Sequence, residues 1–331
     1  MKNVAVLGAG RIGRIHATNL AALPGVTLKF VCDPAGSAAA DLAAQLGAQV
    51  ATPEIVFADP TIDVVAIAAP TDAHSDLITR AARAGKHIFC EKPIDLSVAR
   101  AQACADAVRA AGVACMMGFQ RRFDPTFNEA KERLARGAIG KPEMLVVTSR
   151  DPGAPPPHYL KGSGGIFRDM LIHDFDIFRW ILCADGDEAE WLAATGSCLV
   201  DPEIATVGDI DSAVVTIRTR QGRLAQINAS RRAAYGYDQR FEVLGAGGML
   251  QCGNHRPSEV LQSDAGGVHA DKPEHFFLQR YREAYRLELV HFFETLQSGG
   301  SFRTTIADGV AAQVLADAAS QSWLSGEAVR L

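Results

Sequence analysis

Three groups of residues in this chain have types and spacings that can do chemistry. The first is Gly8, Gly10 and Gly13 in "VAVLGAGRIGRIHATNL", a G-x-G-x-x-G spacing set between an apolar run and an amphipathic one. Gly8 permits a tight turn, Gly10 lets backbone approach a pyrophosphate, and Gly13 allows close helix–strand packing. With 30 glycines in 331 residues the spacing alone is a weak signal, and a turn that serves packing only is the competing reading. Context favours a phosphate: a helix opening at this turn faces an anion with unused N–H groups. Asp33 ends the next strand, 20 residues after Gly13. A carboxylate there accepts hydrogen bonds from an adenosine ribose and repels a 2′-phosphate, which predicts NAD over NADP.

The second group is Glu91, Lys92 and Pro93 in "FCEKPID", directly after the apolar run "KHIFC". Pro93 removes a donor and biases Lys92 toward extended backbone, which points an ammonium beyond a strand end. On these residues alone, a surface ion pair between Glu91 and Lys92 explains the stretch equally well. The third group is Asp169 and His173 in "GGIFRDMLIHDFDIFRWIL". Four apart, they share one face of a single helix, whose remaining surface is apolar through Ile172, Phe175, Ile177, Phe178 and Trp180. The plain alternative is an acid near the positive end of a helix with a satisfied core histidine.

These groups need elements to position them. Strand-like runs at 3–7, 26–32, 63–68, 86–90 and 113–117 alternate with helical patterns, clearest at 73–84 and 97–110. Apolar runs without alternation suit strands covered on both faces, hence a doubly wound parallel sheet of Rossmann type over residues 1–119. After Gly118 the texture changes. A helix at 125–135 precedes alternating strands at 213–219 and 223–229 across the turn "RQGR", with further strands at 143–149 and 240–244. This predicts an α+β domain on a largely antiparallel sheet over 120–331, with a terminal helix at about 304–322 packing back on the first domain. The Pro- and Gly-rich stretch "DPGAPPPHYLKGSGG" reads as a functional loop, and 254–272 has little pattern.

Composition excludes several classes. The net charge is −5 and there is no basic run, so nothing points to nucleic acid or an anionic membrane surface. No apolar stretch approaches ~18 residues, and the first residues enter a strand without a cleavage signal. The seven cysteines, at 32, 90, 104, 115, 183, 198 and 252, are scattered with no C-x-x-C. They read as reduced thiols of a cytoplasmic protein. Histidine and cysteine spacing shows no zinc site, so no metal is expected.

Taken in order, "GAGRIGRIH", "AAPTDAHSDLITRAARAGKHIFCEKPI", "GFQRRFDP", "SRDP", "SGGIFRDMLIHDFDIFRW" and "SRRAAYGYDQRFEVLG" resemble successive signatures of the glucose–fructose oxidoreductase and inositol dehydrogenase family (Gfo/Idh/MocA). The resemblance runs to about residue 250. "RRAAYGYD" and "SRDP" point to its bacterial inositol 2-dehydrogenase branch. Gln120 and Asp174 depart from residues common there. The resemblance implies NAD as cofactor, held around Gly8, Gly10, Arg11, Ile12, Gly13, Asp33, Pro70, Thr71, His74, Glu91 and Lys92. It also implies catalysis by Lys92, Asp169 and His173, and a cyclic polyol bound by these three with Arg122, Asp151 and Tyr235. Oxidation of a ring hydroxyl of myo-inositol to the inosose is the activity implied, with a homotetramer as the assembly.

An imidazole, ordinarily titrating near ~6.5, suits the general base of such a step. Lysine suits the stabilisation of a developing oxyanion, and Asp169 suits orienting a substrate hydroxyl or the other two. Other substrates in the same class are scyllo-inositol or a sugar. Different classes are an NAD-dependent glycosidase and a non-catalytic sugar sensor; a sensor has no need of a lysine, histidine and aspartate together. Apolar residues on both faces of 213–219 and 223–229 predict that the outer sheet face meets another subunit.

Overall fold

The structure, a computed structural model, describes residues 1–331, apart from the side chains of residues 157 and 158. The chain divides into two compact units, Met1–Phe123 with Ala284–Val314, and Asp124–Glu283 with Leu315–Leu331. A single boundary at residue 120 therefore needs correction. Residues 284–314 belong with the first unit because they pack and bond there. Met117 donates its N–H to the Thr304 carbonyl at 3.1 Å, and the Thr304 hydroxyl donates to the Met117 carbonyl at 2.7 Å. Phe292 meets Phe89 edge-on, 6.1 Å between centroids.

The first unit carries six parallel strands: β1 (Lys2–Leu7), β2 (Val26–Cys32), β3 (Gln49–Val50), β4 (Val64–Ile67), β5 (His87–Glu91) and β6 (Cys115–Gly118). Their order is β3-β2-β1-β4-β5-β6, the doubly wound arrangement with its switch point between β1 and β4. Five helices connect them: α1 (Arg11–Ala22), α2 (Gly36–Leu46), α3 (Pro53–Ala58), α4 (Thr71–Arg83) and α5 (Val98–Ala111). Every residue of β4 is buried, as unbroken apolar strands under two helical layers require. Local chemistry sets the helix ends. Thr52 caps α3 with Pro53 behind it; Ser97 caps α5, which stops at Gly112 in the left-handed region.

In the second unit, Asp124 opens α6 (Pro125–Ala135) by accepting from the Thr126 and Phe127 amides at 3.1 and 3.0 Å. There follow β7 (Pro142–Arg150), α7 (Pro157–Ser163), α8 (Gly165–Asp169), α9 (Ile172–Leu182), β8 (Ala189–Ser197), α10 (Glu203–Thr206), β9 (Ser212–Thr219), β10 (Leu224–Ser230), β11 (Asp238–Gly245) and β12 (Gly248–Cys252). A hairpin, β13 (Leu261–Asp264) with β14 (Gly267–Ala270), fills the stretch without sequence pattern. The helices α11 (Phe277–Arg280), α12 (Arg282–Ser298) and α13 (Ile306–Ser325) and the strand β15 (Val329–Arg330) complete the chain.

The second sheet runs β12-β11-β7-β10-β9-β8-β15. Its neighbours are antiparallel except β7 and β10, which are parallel. β9 alternates buried and exposed residues, so one face packs on α9 through Val215, Ile217, Ile227, Phe175 and Phe178. The opposite face exposes Met144, Val214, Leu224, Leu244 and Met249. The loop expected over 151–165 contains α7, whose first residue is Pro157, a favoured first position. No helix among the described residues is long and apolar enough to cross a membrane.

Candidate active site

The glycine turn follows β1 at the switch point. Gly8 has φ +113°, and a Cβ on it would lie 2.3 Å from the Ala68 carbonyl oxygen beyond β4. A Cβ on Gly13 would lie 1.9 Å from the Gly8 oxygen. Internal packing therefore accounts for both. Gly10 differs: a Cβ there would meet nothing within 4 Å, and its φ of −69° is one any residue adopts. It caps α1 without a side-chain bond, leaving backbone donors at the helix start beside open space. That is the cradle an anionic pyrophosphate fits. Asp33 holds the turn from the other side, accepting from the Ala9 amide at 2.7 Å and the Ala35 amide at 2.8 Å. Each carboxylate oxygen keeps a lone pair for a ribose hydroxyl. These residues fit NAD.

Arg11 and Pro70 are exposed, and Ile12, Thr71 and Lys92 are half-buried. The side chains of His74 and Glu91, both implied above as cofactor-binding, bond within the protein. His74 is buried, with Nδ1 2.7 Å from the Pro93 carbonyl and Nε2 2.7 Å from that of Ala69. Burial pulls its pKa down against the pull of those two carbonyls. It ties the segment after β4 to the segment after Lys92, across a Lys92–Pro93 peptide bond that is cis. Glu91 turns inward, its Oε1 2.7 Å from His16 Nε2. It is 8 % exposed, which replaces the reading of Glu91 as half of a surface ion pair. Arg122 is buried as well; its guanidinium donates to the Arg303 carbonyl at 2.7 Å and to Asp308 at 3.1 Å.

In the second unit, Asp169 and His173 do not lie on one continuous helix. Asp169 ends α8 and His173 is the second residue of α9. The break has a physical cause: the Met170 and Leu171 amides both bond to the Ile166 carbonyl, at 3.0 Å each, which interrupts the ladder. Asp169 is held by partners that sequence reasoning missed. Its Oδ1 accepts from the Tyr159 hydroxyl at 2.9 Å, and its Oδ2 from Arg231 at 3.3 and 3.4 Å. Arg231 is 1 % exposed and also lies 3.8 Å from Asp209, whose Oδ1 accepts from the Ile166 amide in the first turn of α8. Arg231 stands inside the quoted "SRRAAYGYD", yet nothing local links it to a residue 62 positions earlier.

The parallel pairing of β7 and β10 sets Arg150 opposite Ser230, so Asp151 and Arg231 leave adjacent strands at the same sheet end. The Asp151 amide bonds to the Ser230 carbonyl at 2.9 Å. Tyr235 follows in the same loop. Its hydroxyl donates to Asp238 at 2.6 Å and accepts from Arg150 at 3.0 Å, and burial followed by the hydrogen bond to Asp238 raises its pKa. Tyr235 and Pro152 line a cavity of about 520 Å³ together with Lys272 and His275. His173 is 9 % exposed. The first unit thus holds Lys92 and Arg122, and the second holds Asp151, Asp169, His173 and Tyr235.

Comparison with known proteins agrees with this anatomy. Residues 2–119 match the oxidoreductase family with NAD-binding Rossmann fold, and residues 127–251 match the Gfo/Idh/MocA C-terminal domain. The inositol 2-dehydrogenase of Rhizobium meliloti is 45 % identical over 317 residues, covering 96 % of this chain and 95 % of the relative. The NAD(+) scyllo-inositol 2-dehydrogenase of Bacillus subtilis is 40 % identical over 99 % of this chain and 95 % of its own length. The crystal structure of a myo-inositol dehydrogenase from Corynebacterium glutamicum superposes with a TM-score of 0.95 at 42 % identity, covering 100 % of this chain and 99 % of that one. With a nucleotide-cradling turn in one unit, a buttressed carboxylate and a histidine in the other, and relatives matched end to end, this chain belongs to the Gfo/Idh/MocA family of oxidoreductases.

Proposed function

We propose that the protein is an NAD-dependent dehydrogenase that oxidises a ring hydroxyl of myo-inositol to the inosose. One observation carries the reading: end-to-end similarity to inositol 2-dehydrogenases in a chain that has Lys92, Asp169 and His173. NAD, when bound, supplies the hydride acceptor. His173 takes the hydroxyl proton as general base. Lys92 hydrogen-bonds the reacting oxygen and stabilises its growing negative charge. Asp169 orients the polyol, and the Tyr159–Arg231 clamp holds that carboxylate in one position. Asp151 serves a polyhydroxyl ring as an acceptor, and Tyr235, whose proton goes to Asp238, offers its remaining lone pair. Arg122, tied to Asp308, acts mainly by fixing backbone beside the site.

The reading extends to a homotetramer working in the cytoplasm. The exposed row Met144, Val214, Leu224, Leu244 and Met249 on the outer sheet face supports burial against a second copy. Seven free cysteines, mostly buried, suit a reducing compartment.

Similarity to a scyllo-inositol enzyme at nearly the same identity makes that isomer the second reading. The test is NADH formation from a panel of inositols and aldoses. Accumulation with myo-inositol above all others is expected. Preference for scyllo-inositol selects the second reading, and no NADH from any inositol refutes both. Light scattering reports the assembly.

A further inference from the structure

Outside the residues assigned above, one cluster of buried titratable side chains in the first unit has no role. His16 on α1, Glu91 at the end of β5 and Glu288 on α12 present ligating atoms that all lie within 4.8 Å of one another. His16 and Glu288 have no solvent exposure. His16 Nε2 and Glu91 Oε1 stand 2.7 Å apart, whereas neither carboxylate oxygen of Glu288 has a hydrogen-bond partner among the described residues. The surroundings are aromatic: Phe89 and Tyr285 sit edge-on to the His16 ring at 4.9 and 5.7 Å. On β6, Gly118 leaves the space for Glu91, since a Cβ there would lie 3.1 Å from its carboxyl carbon.

Titratable groups from several elements adjoin the cluster. α1 gives His16, β5 gives Glu91 between Cys90 and the following Lys92, α4 gives His74, α12 gives Glu288 and Tyr285, and β6 gives none at Gly118. Burial, then the charge of Glu91, pushes the Glu288 carboxyl well above its usual range. Two carboxylates and an imidazole buried together, with Glu91 8 % exposed and the other two not at all, need a compensating cation or a proton. A transition metal takes ligands at ~2.0–2.2 Å and holds two of them ~3 Å or more apart. The 2.7 Å contact of His16 and Glu91 instead has the length of a hydrogen bond. The geometry fits a proton.

We propose that Glu288 folds in protonated beside the His16–Glu91 hydrogen bond, so that its neutral carboxyl lets His16 hold the Glu91 carboxylate in place, making Glu288 and His16 positioning residues for the Glu91–Lys92 strand end. The inference rests on the reading of Lys92 as a catalytic group, but its proton can be tested without it. Neutral Glu288 leaves Glu91 as the one anion, bonded to His16 and facing an acid rather than a second charge. Ionisation would set two carboxylates against each other and push the strand end from its place.

The sign follows from linkage. A carboxyl with a raised folded pKa contributes stability that is fully present below its unfolded pKa and is lost as pH rises toward and through the folded value. Glu288→Gln keeps the shape and removes the titration. Between pH 5 and pH 8 its Tm is expected to fall less than that of the parent, by ~3 °C or more. Parallel Tm profiles overturn the proposal. So does one equivalent of bound divalent metal in the purified protein together with a Tm lowered by EDTA.

The positioning role has its own readouts. Glu288→Ala is expected to lower kcat at least ~10-fold with NAD affinity, by titration, changed less than ~3-fold. Glu288→Gln should recover most of that loss. Equal loss in both variants refutes positioning. If Lys92→Ala proves fully active, the catalytic reading fails while the Tm result still decides the proton. Where Glu288→Ala does not fold, the Gln profile alone decides.

Discussion

The glycine turn yields a prediction that separates packing from binding. Gly10→Ala and Gly13→Ala add the same single carbon three residues apart, yet their surroundings differ completely. At Gly13 the new atom meets a backbone oxygen at 1.9 Å, which no rotamer change relieves. Overpacking typically costs ~1–3 kcal/mol, and a rigid backbone contact belongs at or above the top of that range. A Tm at least ~6 °C lower follows for a chain of this size. At Gly10 the atom meets nothing. Alanine is worse than glycine as a helix cap by ~0.5–1 kcal/mol, and its stiffer unfolded chain returns ~0.4–1 kcal/mol. The two nearly cancel. Gly10→Ala should therefore melt within ~2 °C of the parent while losing at least ~10-fold in NAD affinity, because the methyl occupies the path of the pyrophosphate. Thermal melts paired with NAD titration read both quantities. Wild-type affinity in a folded Gly10→Ala protein would refute the assignment of this turn to the cofactor.

Lys92→Ala and His173→Ala should each lower kcat by at least ~100-fold while the protein stays folded and binds NAD, as steady-state rates and NAD titration will show; near-normal turnover removes that residue from the mechanism. Asp33→Ser with Pro34→Arg should move preference toward NADP, read as the ratio of kcat/KM for the two cofactors. It should also cost ~1–2 kcal/mol, because Asp33 anchors the Ala9 and Ala35 amides. Arg231→Met leaves Asp169 without its buried counter-charge and should destabilise by ~3 kcal/mol in denaturant melts, with the larger catalytic loss in kcat. Asp211 is held below the usual carboxylate range: burial opposes its charge, but the amides of Asp201, Leu199 and Val200 outweigh it. Its contribution is present above the unfolded pKa and lost as pH falls through the folded one. Asp211→Asn should thus cost ~2 kcal/mol near pH 7 and flatten the acid limb of the stability curve below pH ~4.

Much of the fold was legible because it rests on short-range rules. The sequence run at 26–32 coincides with β2, and the helix expected at 125–135 coincides with α6, capped by Asp124 and started by Pro125. Other boundaries moved by one to three residues, as fraying ends do. The hairpin at 261–270 escaped because every residue in it is exposed, so no alternation marks a buried face. The expectation of one helix through Asp169 and His173 failed for a different reason. Both segments are helical and apolar, and the interruption comes from a doubly used Ile166 carbonyl that leaves no mark on composition. Of the candidate site, the glycines and Asp33 could be named from motif and strand end, whereas Lys92, Asp169 and His173 fitted plainer readings until the family resemblance singled them out. Tyr159, Asp209 and Arg231 could not be named.

Residue order by itself determined the local grammar here: which runs are strands, where helices are capped, which glycine turn can receive an anion. These follow from periodicities of 2 and 3.6 residues and from turn chemistry acting over a few positions. Only the tertiary structure decided who neutralises whom. Glu91 turned inward to His16, 75 positions away, and Asp169 found Arg231, 62 positions on. A charge buried by folding must take its partner from whatever the packed chain brings near, and that choice is made in space rather than along the sequence.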